Sequence, residues 1–352
     1  MTESVQMIGS TKAYPKGRCL RLGRNASVLG TGAGLPEEVV TNQDLIDELS
    51  LMATDRAVRF SVGIHERRRG SFDVTCAEYL AGAALECCER ARLDPERIDR
   101  IIYARLFGDH SIPATSLRVL QRLGLTRRIP VMDISAACSG FLHAMELGLS
   151  YINAGDDHVL ILGGDRGAMA AGNLVAKDTR TVFLNGDGFA AMLLGATHVP
   201  KFRSSYFYTD SDLADFAQIP FGTALLNQSL EFNPEMLTVK MPDGRKIHQS
   251  VLDSCRIVSS RLLELASMTW NDIDFLITSD QTHLVWKDQL AVLGLPESKS
   301  VSCFHKYGNT VAAMAPLNLN EAIITGKLTR GMTVMMMGHG AGASGGGFIF
   351  EY

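Results

Sequence analysis

The chain has 352 residues, 46% of them hydrophobic and 20% charged, with a formal net charge of −4. A disordered chain needs low apolar content and high net charge, so that class is excluded, and the slightly acidic balance supplies no basic field for nucleic acid or an anionic membrane surface. The apolar run around Val334–Met337 is strand-sized, and none in the chain approaches the roughly 18–20 residues that span a bilayer.

Taken in chain order, Met1 to Arg24 has no periodicity and reads as a loose leader, without the charged, apolar and cleavage-site succession of a secretory signal. Val28–Leu35 predicts a strand running into a turn, and a helix opens at Thr41-Asn42. Arg100–Leu106, Val131–Ile134, Val159–Leu162 and Ala190–Leu194 predict strands; Cys76–Arg92, Thr115–Leu123 and Gly140–Ala154 predict helices. This alternation argues for an α/β architecture around a buried sheet. The seven cysteines (Cys19, Cys76, Cys87, Cys88, Cys138, Cys255 and Cys303) are odd in number and contain no C-x-x-C pair. Reduced thiols in the cytoplasm are the reading they favour, and they argue against a structural zinc site.

A long-period repeat organises the chain. Glu96–Ala104 (ERIDRIIYA) recurs as Asn271–Ser279 (NDIDFLITS), and His158–Gly164 (HVLILGG) recurs as Thr333–His339 (TVMMMGH), both at an offset of 175. Two strand-bearing segments that share one offset point to two duplicated halves. We place them at residues 25–197 and 198–352, after the 1–24 leader, and no Pro/Gly/Ser-rich linker separates them.

Cys138 is the sharpest chemical candidate. It follows the predicted strand Val131–Ile134 and opens a helix, where unpaired backbone N–H groups and the positive helix end favour a thiolate. Ala136, Ala137 and Ser139 leave room beside it. Asn309 sits at a tight bend in a strand-end turn (FHKYGNTVAAMAP, Phe304–Pro316) that leads into a helix, where a side-chain amide can donate to a developing oxyanion. Asp280 and His283 share a segment where a strand gives way to a helix, and their three-residue spacing puts both on one face. The glycine-rich Met336–Phe350 turn between two strands, which holds His339 and Ala341, is suited to presenting backbone amides. It also contains a formal G-x-G-x-x-G, but no helix follows, so a dinucleotide site is rejected. Asp187 reads as structural, and the Arg67–Arg69 run as a solvated face or a phosphate contact.

Together these segments resemble the β-ketoacyl-[acyl carrier protein] synthase III group of the thiolase-like superfamily. The anchors are LPEEVVTNQDL (from Leu35), VGIHERRR (from Val62), IPATSLRVLQRLGL (from Ile112), DISAACSGF (from Asp133), LNGDGFAAMLLG (from Leu184), YGNTVAAMAPLNLNEAI (from Tyr307) and GHGAGASGGGFIF (from Gly338). The resemblance implies a five-layered αβαβα fold, a homodimer, and a cysteine acylated from coenzyme A or an acyl carrier protein, with no tightly bound cofactor. It assigns the nucleophile to Cys138, an amide donor to Asn309, and the oxyanion donors to the Cys138 backbone and one near Ala341. Where the family carries a catalytic histidine, this chain has Asp280, and His283 follows three residues later.

A carboxylate there would repel the enolate formed when a malonyl thioester loses carbon dioxide. Three readings follow: His283 acts as base with Asp280 orienting it, His339 serves instead, or decarboxylation is lost while acyl transfer to an alcohol, amine or thiol remains. Of the two histidines His283 is preferred. Among the reactions, Claisen condensation with a malonyl or ketoacyl thioester leads, in fatty-acid-like or polyketide-type biosynthesis; a silent, partner-dependent subunit is the contrasting class. Arg67, Arg69 and Arg118 are the candidates for phosphate contact with coenzyme A, and the loop residues Ser204–Leu230 would set acyl length.

Overall fold

The computed structural model describes residues 23–167, 177, 181–220 and 234–352. The 1–24 leader, save Gly23 and Arg24, and residues 221–230 of the loop expected to set acyl length lie outside the described residues. The described strands are β1 (Asn25–Gly34), β2 (Glu38–Thr41), β3 (Glu66–Arg69), β4 (Arg100–Ala104), β5 (Val131–Ile134), β6 (His158–Arg166), β7 (Asp187–Thr197), β8 (Phe202–Thr209), β9 (Phe275–Thr278), β10 (Thr333–Gly340) and β11 (Ser344–Glu351).

Two sheets repeat one topology. The first runs β1-β7-β6-β4-β5 and the second β8-β11-β10-β9. In each, two antiparallel pairings are followed by a parallel one: β1 with β7, β7 with β6 and β6 with β4 answer to β8 with β11, β11 with β10 and β10 with β9. The place of β5 is taken in the second sheet by a single bridge, Leu276 to Ser300. The predicted strands were too short at β6 and β7 because their ends carry Asp165 and Asp187, which are buried yet polar. Asp187 accepts a hydrogen bond from the Gly70 amide at 2.7 Å, the structural role expected of it.

Apolar clusters define the layers. Helices Gly140–Ala154 and Met314–Ile324 lie between the sheets, joining Phe141, Met145, Ala315 and Leu319 to Ile161 on one side and Ile277, Met336 and Phe348 on the other. Helix Cys76–Ala91, through Leu80, Ala84 and Cys87, covers the outer face of the first sheet with Val119 of helix Thr115–Leu123. Helices Gly244–Ala266 and His283–Leu293 cover the outer face of the second sheet, through Val258, Leu262, Trp286 and Leu290. The stack is αβαβα from two duplicated halves. Among the described residues no helix is long and apolar enough to cross a membrane.

Candidate active site

The two central helices begin side by side, and each is preceded by a short 3-10 turn, Ala137–Ser139 and Val311–Ala313. Ala137 has φ +46 and Val311 φ +55; with Ala343 (φ +47) they are non-glycine residues in the left-handed region. Of the four others described in that region, Ser50, Arg92 and Ser267 close helices, and the fourth is Lys177. Ala137, Val311 and Ala343 instead line one cavity of about 700 Å³. Such backbone conformations cost about 1–3 kcal/mol each and persist where surrounding structure enforces them, which is the habit of functional sites. A β-branched valine at positive φ is the most telling of the three.

Cys138 sits on the first turn and lines the cavity. The turn is pinned from the second half: the Ser139 hydroxyl meets the Ser344 hydroxyl at 2.5 Å and the Ala136 carbonyl at 2.8 Å. Helix Gly140–Ala154 has no side-chain cap, so its positive end is left open toward this turn. Burial nonetheless pushes the Cys138 thiol up to about 11, against its own backbone amide. Burial thus works against the thiolate that the helix end favours.

Asn309 is held by backbone. Its N–H donates to the Leu184 carbonyl at 2.8 Å, the Gly186 N–H donates to its carbonyl at 3.3 Å, and the two segments form a parallel bridge of Asn185 with Asn309. Glycine is required at both crossings: a Cβ on Gly186 would lie 2.0 Å from the Tyr307 carbonyl oxygen, and Gly308 has φ +67. The Asn309 Oδ1 accepts from the Val311 N–H at 2.8 Å, which orients the amide. Opposite, the turn joining β10 to β11 brings Gly340, Ala341 and Gly342 to the cavity. A Cβ on Gly340 would stand 2.8 Å from the Ser139 Oγ and 2.9 Å from its amide nitrogen, so the turn approaches the Cys138 segment only because residue 340 is glycine.

Cys138, Asn309, His339 and Ala341 thus line one cavity, and Asp280 and His283 do not. Asp280 is fully buried, its carboxylate accepting from the Thr278 hydroxyl at 2.5 Å and the Asn318 amide at 2.8 Å. Burial pushes it up to about 7. It faces the core beneath β9 and does not orient His283, so that pairing is corrected. The helix His283–Leu293 turns the His283 ring toward Trp286 and His305, at centroid distances of 5.1 and 6.0 Å. His283 is held below the usual histidine range by burial, then by Lys287 and His305. His339 is buried on the cavity wall, its Nε2 3.4 Å from the Ser250 hydroxyl, and burial pushes it down to about 4, so it is neutral at physiological pH.

The arginine expectations are corrected too. Arg67 is 1% exposed, and its guanidinium donates to the Val40 and Phe183 carbonyls and to Asn42 Oδ1. Its β3 segment pairs with β2 instead of forming a solvated face, and desolvation pushes Arg67 down to about 10. Arg69 is paired with Glu38 and Glu48, both at 2.7 Å. Arg118 lines a different cleft, beside Asp109 and Arg122. Among the described lining residues the guanidinium at the cavity is Arg105, which pairs with Asp133 at 3.3 Å. Neither Arg105 nor Asn185 was singled out from the sequence. The rest of the wall is apolar, with Phe216, Ile219, Val239, Met241 and Ile247. Among the described residues no group of His, Cys, Asp or Glu could hold a metal ion.

The comparisons agree with this geometry. The family described as 3-oxoacyl-[acyl-carrier-protein (ACP)] synthase III matches residues 132–211, and its C-terminal part matches residues 263–352. A β-ketoacyl-[acyl-carrier-protein] synthase III of Methylococcus capsulatus is 29% identical over 332 residues, covering 94% of this chain and 100% of the relative. The crystal structure of 3-oxoacyl-[acyl-carrier-protein] synthase III from Aquifex aeolicus superposes with a TM-score of 0.83 at 28% identity, covering 93% and 100% of the two chains. The priming β-ketosynthase of the R1128 polyketide biosynthetic pathway superposes with a TM-score of 0.84 at 25% identity, covering 97% and 98%. The chain is a synthase III-like protein of the thiolase fold, and its homologues are acyl-transferring ketosynthases.

Proposed function

We propose that the protein is a two-stage condensing enzyme in which Cys138 carries the acyl group. An acyl thioester on coenzyme A or an acyl carrier protein enters the cavity, and its chain lies against the apolar wall at Phe216, Ile219 and Met241. The Cys138 thiol, raised by burial, needs a base as it attacks, and His339 is the neutral imidazole on the wall that takes its proton. The backbone amides of Cys138 and Ala341 hold the oxyanion. The donor thiol leaves with a proton.

In the second stage a malonyl thioester binds beneath Asn309. Loss of carbon dioxide leaves an electron pair on the malonyl-derived fragment as an enolate, whose oxygen accepts a hydrogen bond from Asn309. The enolate carbon bonds to the acyl carbonyl, the C–S bond to Cys138 breaks, and the thiolate is reprotonated. The observation that carries this reading is the convergence of Cys138, Asn309 and the Gly340–Ala343 turn on one cavity lined by three strained residues. The homodimer and the cytoplasmic setting belong to the same reading. They rest on the resemblance and on six described cysteines that are all free thiols.

The test is intact-protein mass spectrometry of wild type and Cys138→Ala mixed with a panel of acyl-coenzyme A thioesters, then chased with malonyl-coenzyme A. A Cys138-dependent adduct discharged with release of carbon dioxide is the expected result. An adduct discharged only by alcohols, amines or thiols would make the protein a heteroatom acyltransferase, and no adduct would return the silent-subunit reading.

A further inference from the structure

Beside Asn309 the cavity wall carries another asparagine that neither the sequence motifs nor the proposed stages employ. Asn185 lies between Leu184 and Gly186, whose backbone groups bind Asn309 from either side. The two asparagines are partners in a parallel bridge, so their side chains leave the same face of the ribbon. Both line the cavity that holds Cys138, and both are 8% exposed. The Asn185 Oδ1 is buried without a hydrogen-bond partner. Among the described residues neither the Asn185 Nδ2 nor the Asn309 Nδ2 donates a hydrogen bond.

A buried amide with an unpaired oxygen costs about 1–3 kcal/mol, and protein interiors rarely keep one without a use. The position held by Asp280 adds no donor to the cavity. Asp280 occupies the place where an imidazole would assist the enolate, and its carboxylate is tied to Thr278 and Asn318, away from the cavity. We infer that Asn185 is a catalytic residue of the condensation stage, its Nδ2–H₂ group donating beside that of Asn309 to the thioester oxygen of the malonyl-derived enolate. Two adjacent amides then supply the two hydrogen bonds that one amide and one imidazole would otherwise share. Each amide is neutral at every working pH, so the pair stabilises the enolate without a proton of its own to lose.

The inference rests on the two-stage reading, and the experiment separates the two. Wild type, Asn185→Ala, Asn185→Ser and Asn185→Asp are each charged with the acyl-coenzyme A that labels Cys138 best. Charging is followed by intact mass, and carbon dioxide release from malonyl-coenzyme A is followed separately. We expect charging within threefold of wild type in all three variants. Carbon dioxide release should fall about 10²-fold in Asn185→Ala and Asn185→Ser, the loss typical of one oxyanion donor. It should fall further in Asn185→Asp, which keeps the shape and replaces the donor by a carboxylate. Release within threefold of wild type in either Asn185→Ala or Asn185→Ser overturns the inference. So does a parallel fall of charging and release in every folded variant, which would mark a structural residue. If wild type itself charges no Cys138, or charges and releases no carbon dioxide, the two-stage reading fails and Asn185 loses its role with it.

Discussion

The turn Ala137–Ser139 before helix Gly140–Ala154 and the turn Val311–Ala313 before helix Met314–Ile324 are copies of one device at an offset of 174. Each opens with a residue forced to positive φ. Yet Cys138 reaches the cavity, whereas its counterpart Ala312 is 1% exposed and packs into the core. The second turn contributes through Asn309, just before it. The scaffold occurs twice, and on the proposed reading one copy carries the nucleophile and the other the Asn309 amide. A site built this way needs both halves, because the third wall, Gly340–Ala343, also comes from the second half and touches the first turn.

The largest expected effect tests whether the division of labour is complete. Cys138→Ala should abolish the acyl adduct. Cys76, Cys87, Cys88, Cys255 and Cys303 are buried and none of them lines the cavity, so none can take over. An adduct on any other cysteine, located by peptide mapping, would break the comparison at its first term. Gly340→Ala should come next. Its methyl would be driven into Ser139, displacing the Ala341 amide from Cys138, and turnover should fall about 10²-fold. Overpacking of a tight contact also costs about 1–3 kcal/mol of stability, readable as a lowered urea midpoint. Turnover within threefold of wild type would show that the third wall is not held by that contact.

Much of this was legible in the sequence, for identifiable reasons. Cys138 stood out because a buried strand, a run of small residues and a helix start occur in order within ten positions. The duplication was legible because fully buried parallel strands read as continuous apolar runs, which align with one another at a fixed offset. Orientation at strand ends was not legible. Asp280 turns inward because Thr278 and the distant Asn318 receive its carboxylate, and spacing to His283 carries no information about Asn318. Arg67 was misread for the same reason: its partners Asn42 and Phe183 are brought to it by the β2–β3 ribbon and by the packing of the ribbon on the core. Asn185 was overlooked because its significance is a bridge to a residue 124 positions away.

A medium effect concerns the strand ends themselves, where Asp280 in the second half stands at the position of Arg105 in the first. The Asp280 carboxyl titrates near 7 in the folded protein, well above about 3.9 in the unfolded chain. The folded state therefore holds the proton longer. Its penalty is absent below about pH 4, grows as pH rises, and levels off above about pH 7. Asp280→Asn lacks that slope. The variant should match wild type in urea midpoint at pH 4 and gain on it by a few kcal/mol at pH 8, at about 1.4 kcal/mol per pKa unit. His339, lowered to about 4, gives wild type an opposite slope between about pH 4 and 6.5. It is common to both proteins and cancels in the difference. Parallel stability curves would show that Asp280 is ionised and satisfied where it lies.

The smallest effects separate strain from burial in the two turns. Ala137 at φ +46 and Val311 at φ +55 carry the same backbone cost, about 1–2 kcal/mol for an L-residue in the left-handed region. Glycine relieves it, but restores about 0.5–1 kcal/mol of unfolded-chain freedom. Ala137 is half-buried and gives up only a methyl, so Ala137→Gly should raise stability by less than about 1 kcal/mol. Val311 is 6% exposed, and Val311→Gly deletes a packed isopropyl worth about 1.5–3 kcal/mol, so the same relief should end in a net loss. Opposite signs in the urea midpoints would mean that the first turn is held in its strained form by the second-half contact at Ser139 and Ser344, and the second by its own packing. A fall in both would mean that the first turn, too, depends on its side chain, and the two copies would then be alike in energetics and different only in chemistry.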